Sequence, residues 1–132
     1  MEFLPDNCEF CIVALFYLRF LRTFVALNYK LHSLKPEDEK QLEQGLLLPL
    51  MEEFYTIQGE GYNTGKAAYF IRIGGCDVGC HWCDVKESWD ANVHPLTPVS
   101  KIVANVETYA AKSVVVTGGE PLIYNLGALT AE

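Results

Sequence analysis

The chain has 132 residues, room for one small domain. Seventeen Asp and Glu against ten Lys and Arg give a net charge of −7, which excludes a general electrostatic nucleic-acid binder, because phosphate contacts need a basic stripe. Half the residues are hydrophobic and 20% are charged, a balance that excludes intrinsic disorder.

Residues 10–31 are rich in Leu, Phe and Val and predict a helix that is apolar nearly all the way round, one that needs a partner to bury against. Arg19 and Arg22 interrupt this segment, so no stretch reaches the roughly 18–20 uninterrupted apolar residues of a membrane-spanning helix. Glu2, Asp6 and Glu9 stand where a signal peptide carries basic residues, and a cytoplasmic protein is expected. Pro36, followed by Glu37, Asp38 and Glu39, is placed for the first turn of a new helix. Residues 46–55 start apolar and become acidic and aromatic, and Gln58-Gly59-Glu60-Gly61 reads as a loop. The run 67–73 (AAYFIRI) predicts a strand by its β-branched and aromatic content, ended by Gly74-Gly75.

Further along, Thr97 is expected to cap a helix whose first residue is Pro98. Val99, Ile102, Val103, Val106 and Ala110 then fall at the spacing of a one-sided helical stripe. The run 113–117 (SVVVT) predicts a short strand buried on both faces of a parallel sheet, ended by Gly118-Gly119-Glu120-Pro121. Strand, loop, helix, strand is a βαβ unit. The expected class is α/β, with residues 1–45 as a helical N-terminal extension and residues 46–132 as the core. The special residues of the core follow the C-terminal ends of its two strands, the edge at which α/β folds place their chemistry.

Five cysteines are present, and three of them, Cys76, Cys80 and Cys83, fall within eight residues. Such a triplet in a chain without an export signal points to a metal or cluster site rather than to disulfides. Thiolates suit zinc or iron–sulfur clusters, and structural zinc closes its shell with four ligands where only three cysteines cluster here. Cys8 and Cys11 have no partner pair and are assigned no role. Arg72 alternates with Ile71 and Ile73 and so faces the side opposite them. An always-charged planar fork there suits a carboxylate, the other reading being an arginine that pairs with a surface acid. Gln58 and Glu60 could read the amino and carbonyl edge of a ligand, with Gly59 and Gly61 letting the backbone approach, or could simply decorate the loop. His81, Lys86, Trp89 and His94 read as solvated loop residues.

The triplet Cys76-x3-Cys80-x2-Cys83, with Trp82 before its last cysteine, resembles the signature of the radical S-adenosylmethionine superfamily, and Gly118-Gly119-Glu120-Pro121 is similar to its second motif. A narrower resemblance covers about residues 46–127. It rests on 54–61 (FYTIQGEG), 69–72 (YFIR), Cys83-Asp84 and Ser88-Trp89-Asp90, and it is to 7-carboxy-7-deazaguanine synthase. The resemblance implies a partial (β/α) barrel and a lyase of queuosine biosynthesis. Such an enzyme turns 6-carboxy-5,6,7,8-tetrahydropterin into 7-carboxy-7-deazaguanine and releases ammonia.

It further implies a 4Fe–4S cluster on Cys76, Cys80 and Cys83, with Trp82 beside it. S-adenosylmethionine (SAM) is implied at Gly118, Gly119 and Glu120, and the substrate at Gln58, Gly59, Glu60, Gly61 and Arg72. An electron donor such as flavodoxin and a homodimer of the full-length protein are implied as well. Some family members bind magnesium through a hydroxyl residue after the Cys-Asp pair. Here Val85 has no ligand atom, which leaves Asp84 either to bind the cation or to cap the loop. The other readings are a glycyl-radical-activating enzyme, which shares the triplet, and a non-catalytic metal-binding module. A full barrel takes roughly 200–250 residues. The sequence therefore reads as an N-terminal fragment of a longer frame, and residues 1–45 as an extension from a misplaced start.

Overall fold

The computed structural model describes residues 34–131. The apolar segment 10–31 and the Cys8–Cys11 pair lie outside the described residues. Helix α1 (Pro36–Glu43) starts with Pro36 in its first turn and Glu37, Asp38 and Glu39 behind it, as expected. It buries no residue, and β1 follows it in the chain.

The run 46–55, to which the sequence assigns no element, forms most of the longest strand, β1 (Leu47–Ile57). Its neighbour β2 (Ala67–Ile73) pairs with it antiparallel, with Glu52 opposite Arg72 and Phe54 opposite Phe70. The pairing is irregular between Leu50 and Glu52. The short strand β3 (Leu96–Pro98) lies antiparallel on the other side of β1. Helix α2 (Val99–Glu107) then leads to β4 (Val114–Gly118), which runs parallel to β2 with Arg72 level with Thr117. The strand order is β3-β1-β2-β4, and a short helix α3 (Gly127–Thr130) closes the described chain. The expected βαβ unit is present, and two antiparallel strands extend it into a four-stranded mixed sheet.

One face of this sheet is covered. Leu48, Tyr69, Ile71, Ile73, Val114 and Val116 form a buried cluster with Val99 and Ile102 of α2 and Leu129 of α3. The three valines of β4 are all buried, Val114 and Val116 in this cluster and Val115 on the other face. Because side chains alternate along a strand, β2 sends Ile71 and Ile73 into this core and Arg72 to the opposite face. That face also carries Phe54 and Phe70, whose rings stack at 5.4 Å. Among the described residues, no helix is long and apolar enough to cross a membrane.

Two local expectations need correction. Thr97 does not cap α2. It pairs with Leu48 as part of β3, its hydroxyl donates to the Pro95 carbonyl at 3.2 Å, and α2 begins at Val99. Strand pairing with β1 has taken the residues that the local pattern offered as a cap, and the Val99 N–H donates back to Leu46 (2.9 Å). The stripe also ends early: α2 stops at Glu107 and Ala110 is exposed beyond it. The Thr108 hydroxyl donates to the Asn105 carbonyl (2.6 Å) and closes the helix there.

Tyr69 is 3% exposed and sits against Glu53, which also accepts a hydrogen bond from Asn105 of α2. Burial, then the Glu53 carboxylate, push the Tyr69 phenol up to about 12. The fold thus favours the protonated phenol. Its contribution to stability is whole below pH 10, the value in the unfolded chain, and is lost as pH rises through about 12. Urea unfolding at a series of pH values should show a decline in stability between these limits, and Tyr69→Phe should remove the part of the decline that belongs to this residue.

Candidate functional site

The site is built where β2 and β4 end side by side. Past Ile73 the chain turns through Gly74-Gly75 into the cysteine loop, and past Thr117 it turns through Gly118-Gly119 into Glu120-Pro121. The two turns hold each other. The Gly119 N–H donates to the Ile73 carbonyl at 2.9 Å, the Glu120 N–H to the Gly75 carbonyl at 2.8 Å, and the Tyr124 hydroxyl to the Gly74 carbonyl at 2.8 Å. Gly118 has φ +143, a conformation that residues with a side chain rarely adopt. At Gly119 the constraint is space: an added Cβ would lie 2.1 Å from the Gly75 oxygen and 3.0 Å from Cys76 Cβ. The glycine-rich turn after β4 is therefore pressed directly against the first cysteine.

The cysteine loop is anchored at its return leg. The Gly75 N–H donates to Ser88 (2.6 Å) and the Cys76 N–H to Trp89 (3.2 Å). Ser88 is buried and its hydroxyl donates to Val85 at 2.7 Å, so Val85 acts through its carbonyl in a tight turn. A second turn, closed by the Cys83 N–H on the Cys80 carbonyl (3.0 Å), brings those two cysteines to one bend. None of the three cysteines is in a disulfide, and all are half-buried. No three His, Cys, Asp or Glu side chains among the described residues stand close enough to share one metal ion. A single zinc needs such convergence, whereas a cluster offers a separate iron to each thiolate.

The other expected residues fall as follows. Trp82 is 75% exposed and meets His81 edge to face at 4.4 Å. Asp84 is exposed. One oxygen of Glu120 accepts from the Leu122 N–H at 3.0 Å, which caps the turn after β4. Gln58 is 7% exposed and its side-chain Nε2 has no hydrogen-bond partner among the described residues. Gly59, Glu60 and Gly61 are exposed. The register puts this loop at the start of β2, whereas Arg72 is near its end. From Glu52, opposite Arg72, to Gln58 is about 20 Å along the strand. Arg72 thus shares an edge with the cysteines and with Gly118–Glu120, and the Gln58–Gly61 loop stands at the far end.

Sequence reasoning missed three residues. His94 is no solvated loop residue: its ring fills the space in front of Gly74, where an added Cβ would lie 2.1 Å from it, and its Nε2 is 3.0 Å from the Glu87 carbonyl. Trp89 is half-buried and holds Cys76 through its backbone. No local pattern announces either. Glu52 pairs with Arg72 across β1 and β2, Oε1 to Nε at 2.6 Å. Its signal was available, since two adjacent acids in an apolar strand send one carboxylate to each face.

Comparison with known proteins agrees with this geometry. A family model described as a 4Fe-4S single cluster domain matches residues 57–131. The 7-carboxy-7-deazaguanine synthase of Flavobacterium psychrophilum is 66% identical over 97 residues, which span 74% of this chain and 46% of that protein. The enzyme of the same name from Escherichia coli K12 is 41% identical over 102 residues, 62% of this chain and 46% of that one. The crystal structure of QueE from Escherichia coli overlays 76% of this chain and 52% of its own, with TM-score 0.59 and 35% identity. The chain spans about half the length of the relatives it matches.

Gly119→Ala should lower the thermal midpoint by several degrees, because backbone rather than a mobile side chain meets the new methyl group. Gly59→Ala, where nothing lies within 4 Å, should leave it within a degree or two. Thermal unfolding of the two variants side by side checks the interlock.

Proposed function

Since the chain belongs to the 4Fe-4S single cluster domain family, we propose that it supplies the cluster-binding part of a radical SAM lyase. The reaction is conversion of 6-carboxy-5,6,7,8-tetrahydropterin to 7-carboxy-7-deazaguanine with release of ammonia. The observation that carries this reading is the interlock of the two glycine turns, which sets the residues of two separate motifs within a carbon–carbon contact of each other at one sheet edge. The activity itself follows the name that the relatives carry.

In this reading Cys76, Cys80 and Cys83 hold a 4Fe–4S cluster. Three soft, half-buried thiols in one loop, none in a disulfide, fit that role, and a set of three leaves one iron for another ligand. When bound, the cluster supplies the electron for reductive cleavage of SAM. Gly118, Gly119 and Glu120 receive the methionine end of SAM, with Trp82 beside the cluster. The missing side chain at Gly119 lets the turn close on Gly75 and Cys76, which sets Glu120 beside the cysteine loop. Arg72 holds the substrate carboxylate: it sits at the same edge, on the face away from the helices, as a permanently charged donor.

Gln58, Gly59, Glu60 and Gly61 approach the pterin ring from the far end of the sheet, and the unpartnered buried amide of Gln58 is the support for a polar ligand there. Asp84 is the candidate for magnesium, without a hydroxyl neighbour to help it. The proposal extends to a flavodoxin-like electron donor, a homodimer of the full-length protein and a cytoplasmic setting, which suits cysteines that form no disulfide.

Anaerobic reconstitution should load iron and sulfide on the chain, and Cys76→Ala, Cys80→Ala or Cys83→Ala should abolish loading. Zinc at one per chain with no iron uptake would refute the cluster. The longer reading frame that carries this chain, given SAM, reductant and the carboxylated tetrahydropterin, should form 7-carboxy-7-deazaguanine, detected by chromatography. Arg72→Ala should keep the iron and weaken substrate binding by about tenfold or more, the worth of a charged hydrogen bond; unchanged affinity would remove Arg72 from the site.

A further inference from the structure

The contact between Glu52 and Arg72 is side-on. Glu52 Oε1 meets Nε, the inner nitrogen of the guanidinium, at 2.6 Å; the contact is an ion pair, and the Nε–H is not aimed at the carboxylate as a hydrogen bond. Arg72 has no other polar partner among the described residues, so its two terminal amino groups, Nη1 and Nη2, are left over. The pair is set by the strands rather than by chance of rotamer, because Glu52 and Arg72 are direct cross-strand partners of β1 and β2. The irregularity between Leu50 and Glu52 puts an acid opposite Arg72 where regular pairing would put Met51: Glu52 meets it, and Glu53 is opposite Ile71, on the face of Tyr69 and Asn105.

We propose that Glu52 is a positioning residue for Arg72. It holds the guanidinium by Nε and leaves the Nη1–Nη2 edge for the substrate carboxylate; this rests on the role given to Arg72 above. A planar fork offers two parallel N–H bonds along that edge, so one carboxylate can hold the arginine while a second is bound. An arginine without Glu52 would have to be immobilised when the substrate arrives, at the expense of affinity.

The opposite effect is also physical. Glu52 is an anion, and it could repel the incoming carboxylate or compete with it for Arg72. Positioning outweighs this for two reasons. The Glu52 side chain is 47% exposed, so water screens its charge, while Arg72 is 21% exposed. The guanidinium also stands between the two carboxylates, so each attraction acts over a shorter distance than the repulsion.

The test is equilibrium dialysis under anaerobic conditions on the iron–sulfur-loaded protein in the longer frame. Two ligands are compared, 6-carboxy-5,6,7,8-tetrahydropterin and the tetrahydropterin that lacks the carboxylate. Glu52→Leu should weaken binding of the first by about three- to tenfold, the cost of ordering one long side chain, and leave the second unchanged. Glu52→Gln keeps the shape and removes the charge of the ion pair, and should weaken the first ligand likewise; it carries the test alone if Glu52→Leu does not load iron. Tighter binding of the carboxylated ligand by either variant would show a competitor and overturn the proposal. Equal weakening of both ligands would show a merely structural residue and overturn it as well. If the wild type itself binds the two ligands equally, Arg72 does not hold the carboxylate and both readings fall. If the wild type discriminates and the variants do so equally well, only the role of Glu52 is lost.

Discussion

Everything at the functional edge depends on one close approach, that of Gly119 to the backbone of Gly75 and to Cys76. Parallel strands bring their C-terminal ends to the same level but leave a gap of nearly 5 Å between chains. For the turn after β4 to serve the same ligand as the cysteine loop, it must cross that gap. Two hydrogen bonds, from Gly119 to Ile73 and from Glu120 to Gly75, draw it across, and the missing side chains make the crossing possible. The Tyr124 hydroxyl on Gly74 and the His94 ring on the same glycine brace the arrangement from two further directions. The loop that carries the thiols is thus held at its base while its tip, with Val78 and Trp82 exposed, stays open.

The second constraint is the alternation of side chains along β2. Three successive residues divide the labour: Ile71 and Ile73 secure the strand to α2 and α3, and Arg72 between them is committed to the other face. The cross-strand partner on β1 then decides what an arginine held there can do. A slip of one residue would bring Glu53 opposite Arg72 and take it away from Tyr69 and Asn105, exchanging a polar tie on the helix side for a vacancy. The bulge ahead of Glu52 therefore sets the partner of Arg72.

Much of this was legible in the residues, and what was not has a physical cause. The βαβ unit showed itself because its signals are local: AAYFIRI, the 3.6-residue stripe after Pro98, and VVVT bounded by glycines. The placement of Arg72 followed from period two alone. Strand β1 escaped because Leu47–Ile57 carries both its acids in the middle, and their two partners, Arg72 and Asn105, lie far along the chain. Thr97 misled for the same reason, since a distant strand claimed it before the helix could. The separation of the Gln58–Gly61 loop from Arg72 was equally invisible, because it is a matter of register and no spacing in the sequence encodes it.

The glycine interlock also bears on how this chain would respond to random mutation. A codon change at Gly118 or Gly119 that alters the residue adds at least one carbon where the backbone oxygen of Ile73 or Gly75 already stands about 2 Å away. A mutational scan would rank such positions with the cysteines, although a glycine contributes no side-chain atom to any reaction. Tolerance to substitution along 73–76 and 117–120 would therefore trace the packing between two turns as faithfully as it traces chemistry. Only a readout that separates loading from folding would tell one from the other.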